Sequence, residues 1–291
     1  MENIDFVIPL KQNNVIIRTV IEGIVLFYSP INIFIITDPS SILEINIHTS
    51  FWKIDNTKIK CIDENIFLKT ELERKYTWKD EKSREYGWWF QQIIKLDAIH
   101  KIKDLSDPFI VWDADLIPLK KWDLYNKNTE KYYSFAILQE CSKNEFNRDQ
   151  YSSSIMDLIQ LEIKEPIIGT FVPHHFVFHH KVIKSLHEKI EGEKWRKKIM
   201  ELSSKYYRFS EYKCVATFMQ HFFPELLLYH EYETYGENGM RFRDSLEILE
   251  KIKKMCNIEY YGLSYQNLFI FVNNEFMNNQ KLTYLQIEHI T

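Results

Sequence analysis

Asp113 and Asp115 stand two residues apart in the stretch Phe109-Ile-Val-Trp-Asp113-Ala-Asp115-Leu-Ile-Pro118. The apolar run before them reads as a buried strand, so the two aspartates mark a carboxyl end. In continued β conformation both side chains would point to one face. Two carboxylates placed so repel each other and call for a cation near them. Mg²⁺ and Mn²⁺ accept carboxylate oxygen and keep positions open for phosphate. The plainer reading of the pair is two exposed aspartates in a strand-end turn.

The other chemistry-bearing groups are scattered. His174, His175, His179 and His180 form H-H-x-x-x-H-H, which matches neither H-E-x-x-H nor a zinc finger. Read as a strand, it puts His175 and His179 on one face and His174 and His180 on the other. The four cysteines are far apart and contain no C-x-x-C, which argues against a zinc knuckle and a dense disulfide framework. Only seven glycines occur, and none builds G-x-G-x-x-G or a P-loop. Both of those devices bring backbone amides close to phosphate. A phosphate here must be held another way, and a divalent metal is the direct candidate.

Elements that could position these groups are legible upstream. Phe6 to Leu10 reads as a buried strand opening into the polar Lys11-Gln12-Asn13-Asn14. Val15 to Phe27 carries Ile16, Val20, Ile24 and Phe27 at helical spacing, and Ile31 to Thr37 is a second apolar run closed by Asp38 and Pro39. This strand–helix–strand order implies a parallel sheet, with Lys58 to Ile62 as a third strand. Ligands of such sheets bind at the carboxyl ends of strands. Tyr86 to Lys103 reads as a helix with Trp89, Ile93 and Leu96 on one stripe. Residues 70–85 are densely charged, either a solvated face or a lid.

Later segments predict a strand at Tyr133–Leu138, an extended run at Ile167–Phe178, one charged helix at Val182–Met200 and a helix starting at Ser210. Residues 258–272 and 281–288 read as strands. No repeat and no linker-like stretch interrupts the chain. The expectation is one α/β domain over residues 1–291.

Composition bounds the class. The 291 residues are 45% hydrophobic and 15% aromatic, which excludes disorder over most of the chain. A net charge of −4 disfavours a nucleic-acid partner. No stretch of 18 apolar residues occurs, and the N-terminus lacks the basic region and cleavage site of a signal peptide, so a cytoplasmic location is expected.

Three motifs carry a resemblance. Phe109 to Pro118 resembles the D-x-D strand of GT-A glycosyltransferases. Gly87-Trp88-Trp89-Phe90-Gln91-Gln92-Ile93-Ile94-Lys95-Leu96 resembles the helix preceding that strand in a group of small GT-A-like proteins, and Ser210-Glu211-Tyr212 resembles a segment downstream in the same group. Their order and spacing match over about residues 1–240.

The resemblance implies a single GT-A-type, Rossmann-like domain with a mixed, mostly parallel central sheet flanked by helices, residues 1–120 forming the nucleotide-sugar-binding half and 121–291 the acceptor-binding half. It implies a hexosyltransferase-type enzyme (EC 2.4) with Mn²⁺ or Mg²⁺. That enzyme would move a sugar from a nucleotide-diphosphate donor, a UDP-sugar favoured, to a glycan, lipid or protein hydroxyl. Asp115 and Asp113 would hold the metal, with His289 as a late third ligand. Pro9, Leu10, Lys11 and Asp38 would meet the base and ribose, and Asp113 and Ala114 would flank the donor. Lys95 would contact ribose or phosphate, or else is an ordinary solvated lysine. Glu211 would be the general base of an inverting transfer, or else only the acidic first residue of a helix capped by Ser210. His174, His175 and Tyr212 would line the acceptor. Two other readings use the same residues: a haloacid-dehalogenase-like phosphatase, and a GT-A-like domain that binds a nucleotide-sugar or glycan without turnover.

Overall fold

Phe6, Val7 and Ile8 have no room for water around them, and they open the first of twelve strands found among the described residues. The structure is a computed structural model and describes residues 4–54, 57–67, 84–126, 128–129, 131–132, 134–137, 145–164, 171–230, 239–242, 245–276 and 282–288. Residues 70–83 of the charged stretch and His289 lie outside the described residues.

In chain order the elements begin with β1 (Asp5–Pro9), α1 (Ile17–Tyr28), β2 (Asn32–Thr37), α2 (Pro39–Thr49) and β3 (Lys58–Asp63). There follow α3 (Arg84–Lys101), β4 (Phe109–Trp112), β5 (Leu116–Pro118), β6 (Tyr125–Asn126), β7 (Lys131–Tyr132), β8 (Ser134–Ile137) and α4 (Glu145–Ile159). Next come β9 (His175–Phe178), α5 (His180–Lys189), α6 (Trp195–Leu202), α7 (Glu211–Phe222), β10 (Leu227–His230) and β11 (Gly239–Phe242). The chain ends with α8 (Ser245–Met255), α9 (Tyr265–Phe276) and β12 (Tyr284–Ile287). The chain is α/β, with a mixed, mostly parallel central sheet flanked by helices. Among the described residues no helix is long and apolar enough to cross a membrane.

The chain divides into two compact units. One comprises residues 1–63, 112–123 and 233–291, the other residues 64–111 and 124–232. In the first, β1 pairs in parallel with β2, and β2 in parallel with β3. Strands β1 and β2 read as near-continuous apolar runs because both of their faces are covered. Asn14 starts α1, its Oδ1 accepting the Ile16 and Ile17 N–H groups at 3.0 Å each. Asp38 caps α2 by accepting the Ser40 N–H at 2.8 Å, with Pro39 at the first helical position. Strand β12 pairs antiparallel with β5 and parallel with β11. Gly23 lets α1 approach closely, since a Cβ there would lie 2.9 Å from the Tyr265 ring and 3.1 Å from Pro118 Cγ.

Two sequence expectations are corrected. Residues 265–276 are helix α9, not part of a strand. Leu268, Phe271 and Val272 are buried at helical spacing, and Ser264 Oγ accepts the Asn267 N–H. The Tyr265 N–H is held by the Glu22 carboxylate of α1 at 2.7 Å. The single helix expected over 182–200 is two, α5 and α6. Glu191 and Gly192 take left-handed φ values of 80° and 59° between them, which no α-helix tolerates.

In the second unit β4 neighbours β9, β8 pairs in parallel with β10, and β6 with β7 antiparallel. Helix α6 buries Trp195, whose ring stacks on His187 of α5 at 3.9 Å and 4°. His187 Nδ1 lies 3.0 Å from His100 Nε2. Burial, with the nearby charges of His100 and Arg196, pushes the His187 pKa down to about 3. A histidine depressed from about 6.5 stabilises the fold fully above that value, and the contribution is lost as pH falls towards 3. We expect urea-unfolding free energies to drop by a few kcal/mol between pH 6.5 and 4. His187→Phe should flatten that slope, and an equal slope in the variant would remove His187 as its cause.

Candidate functional site

Trp112, at the end of β4, fixes the start of the aspartate turn. Its ring packs against Phe6 and Tyr28, and its Nε1–H donates to the Leu116 carbonyl at 2.7 Å. The strand ends there. Asp113, Ala114 and Asp115 form a turn closed by the Leu116 N–H on the Asp113 carbonyl at 3.1 Å. The expectation of continued β conformation through the pair is therefore corrected, and the two side chains are not placed by strand alternation. A chain that leaves β4 and enters β5 within three residues has to turn.

Strand β12 holds the turn from behind. The Ile287 N–H donates to the Asp115 carbonyl at 3.1 Å, and Gln286 Nε2 donates to Asp115 Oδ2 at the same distance. Gln286 is 1% exposed within an otherwise apolar strand. Sequence reasoning passed over it, although a glutamine inside a fully buried strand signals a polar partner.

The nucleoside-side candidates lie in the same unit. Pro9 ends β1, and the Leu10 N–H continues the ladder to Ile36 O at 2.8 Å. Lys11 is exposed beyond it. Asp38 follows β2, and these residues stand at the carboxyl ends of two adjacent parallel strands. The loop between β1 and α1 is tied to α2. Asn13 N–H donates to Ser41 Oγ at 3.1 Å, and Asn13 Nδ2 lies 3.2 Å from His48 Nδ1. Neither Asn13 nor His48 was singled out by sequence, since a loop asparagine and a helix histidine carry no motif.

The half-buried carboxylates of Asp113 and Asp115 are hard oxygen donors. Among the described residues no group of three or more His, Cys, Asp or Glu side chains could hold a metal. A pair of carboxylates fits Mg²⁺ or Mn²⁺ of the kind that completes its shell with phosphate and water, and does not fit an all-protein cage.

In the other unit the two remaining motifs meet. Lys95 of α3 lies 2.6 Å from Glu211 Oε1 of α7, with both side chains at most 2% exposed. The same ammonium sits over the Tyr212 ring, 4.3 Å from its centroid. Gln92 Oε1 accepts the Glu211 N–H at 3.0 Å, and Ser210 Oγ accepts the Lys213 N–H, capping α7. Lys95 is thus neither solvated nor idle, and Glu211 is both a first-turn helix acid and half of a buried ion pair. Tyr212 is 1% exposed and packs against Phe176. His175 is buried in β9 with its Nδ1 3.1 Å from the Pro173 carbonyl, and His174 precedes it at φ 63°. The H-H-x-x-x-H-H run crosses a loop, a strand and the start of α5, with His179 at the N-cap. The strand reading that paired His175 with His179 is corrected, because β9 ends at Phe178.

Residues 1–274 match a family model described as "Family of unknown function (DUF6492)". No curated protein matches the chain. Solved structures do. An active-site mutant of LgtC is 9% identical, covers 98% of this chain and 88% of its own, and gives a TM-score of 0.51. The galactosyltransferase LgtC in complex with donor and acceptor sugar analogs is 8% identical over 98% and 87%, at 0.49. Mouse xyloside xylosyltransferase 1, in its apo form, is 10% identical over 84% and 90%, at 0.48. At such identity the likeness to the LgtC mutant is one of fold, the GT-A type of α/β architecture.

Proposed function

We propose that this chain, which belongs to the DUF6492 family, is a metal-dependent glycosyltransferase that moves a sugar from a nucleotide-diphosphate donor to a hydroxyl acceptor. The observation that carries the reading is the Asp113–Asp115 turn, clamped between Trp112 and β12 in the unit that also holds the carboxyl ends of β1 and β2. The GT-A-type fold supports it. Asp113 and Asp115 would hold Mn²⁺ or Mg²⁺ against the diphosphate, with Ala114 beside it. When bound, such an ion supplies Lewis-acid stabilisation of the leaving phosphate. Pro9, Leu10, Lys11 and Asp38 would receive the base and ribose, and a UDP-sugar is the favoured donor.

On the acceptor side, Glu211 would be the group that takes the hydroxyl proton in an inverting transfer. The Lys95 ammonium and the N-terminal end of α7 lie against its carboxylate. His174, His175 and Tyr212 would shape the acceptor's surroundings. The burial of Glu211 in an ion pair favours one further reading, a domain that binds the donor without turning it over.

Calorimetric titration of UDP and of GDP into the chain, with and without Mn²⁺, tests the proposal. Binding of one nucleotide that depends on Mn²⁺ is expected. Absence of binding by both would remove the UDP-sugar and GDP-sugar readings together. Release of UDP from a bound UDP-sugar in the presence of acceptor separates the enzyme from the binding domain.

A further inference from the structure

Arg208 precedes the capped start of α7 by two residues, on the same unit as Glu211. Its guanidinium carbon lies 5.0 Å from the Trp88 ring centroid and 4.4 Å from that of Tyr207. Trp88 is fixed in turn, its Nε1–H donating to the Phe209 carbonyl at 2.9 Å and its ring 6.2 Å from that of Tyr151. Tyr207 is 48% exposed, while Trp88 and Arg208 are half-buried. Among the described residues Arg208 makes no ion pair and no hydrogen bond.

That combination is unusual. A partly desolvated cation is ordinarily paired with a carboxylate. Other cations nearby in sequence are paired, with Lys205 on Asp157 and Lys198 on Glu191. The Arg208 guanidinium carbon instead lies over two aromatic rings, whose π faces attract the cation without taking up its N–H donors. A guanidinium fork matches an oxyanion bidentately. The tyrosine beside it is exposed, and tyrosine is a ring type that packs against sugar faces.

We infer that the Trp88–Arg208–Tyr207 stack is a binding site for a saccharide carrying an oxyanion, a phosphate or a carboxylate. Its assignment to the acceptor rests on the glycosyl-transfer reading above, while the anion site itself does not. A uronic-acid unit and a sugar phosphate present the same chemistry to the fork.

Isothermal titration of the full chain with glucose 6-phosphate, glucuronate, glucose and inorganic phosphate tests this. One or both of the charged sugars should bind saturably, glucose should not, and inorganic phosphate should bind more weakly than the phosphosugar. The preferred anion identifies the source. Arg208→Gln should weaken the charged sugar on the order of ten- to a hundred-fold, the effect of losing charge-assisted hydrogen bonds. Arg208→Lys should weaken it too, because an ammonium keeps the charge and loses the fork. Circular dichroism of both variants shows whether they fold, and Tyr207→Ala, at an exposed position, provides a third probe of the stack. Charged-sugar binding that is absent in the wild type, or unchanged in Arg208→Gln, would overturn the proposal. Charged-sugar binding by a chain that binds no nucleotide would leave the anion site standing and remove only its link to an acceptor.

Discussion

Lys95→Met is expected to lower the unfolding free energy by about 3–5 kcal/mol, the usual cost of stranding one member of a buried ion pair. The Lys95 ammonium neutralises Glu211 where water has no access, and the Glu211 backbone is itself held by Gln92. Without Lys95 a carboxylate remains in the core with a helix N-terminus as partial compensation. The double variant Lys95→Met/Glu211→Leu should recover most of the loss, because a packed apolar pair dispenses with both desolvation penalties. Urea unfolding of the wild type, the two single variants and the double variant measures the coupling directly. Additive losses would mean that the pair contributes nothing as a pair. Glu211→Gln then separates structure from chemistry. A variant that folds, binds donor and does not transfer sugar is the result expected of a general base, whereas a folded variant with full activity would leave Glu211 a purely structural acid.

Asp115→Ala should abolish Mn²⁺-dependent nucleotide binding. The side chain is one of two carboxylates in the turn, and among the described residues no third His, Cys, Asp or Glu joins them to take its place. Gln286→Leu gives a graded companion. It removes the amide that orients Asp115 Oδ2, and losing such an outer partner costs about 10–100-fold in metal affinity. The loss in Asp115→Ala should exceed it, with Asp113→Ala as the parallel case. Calorimetry of UDP with Mn²⁺ on the three proteins reads the series. Undiminished binding in Asp115→Ala would take the aspartate turn out of the donor site, and with it the observation on which the function rests. Asp115→Ala also leaves the buried Gln286 amide without that acceptor, a stability cost of about 1–3 kcal/mol that unfolding curves would register separately.

Local chemistry, read along the chain, determined the frame of this protein. Continuous apolar runs at Phe6–Leu10 and Ile31–Thr37 read as buried strands, and the helical period between them implied a parallel sheet. Ser210 before Glu211 marked a helix start because its side chain satisfies an amide within the next three residues. The aspartate pair at the end of β4 was legible because two carboxylates two residues apart close an apolar run. What local patterns could not supply was any contact between distant segments. Lys95 and Glu211 are 116 residues apart, and each alone is an ordinary surface residue type. Gln286 reaches Asp115 across 171 residues through the β5–β12 pairing. Segment 265–276 is rich in residues that suit a strand, and it is a helix because its buried face repeats at helical spacing and Glu22 holds its first amide. Residues 182–200 have an unbroken charged amphipathic pattern, yet the backbone turns left-handed at Glu191 and Gly192 so that Trp195 can stack on His187. Sequence period fixes which face of an element is apolar. Burial of that face against a partner decides the register, the breaks and the company each charged group keeps, because desolvation is felt only once the partner is in place.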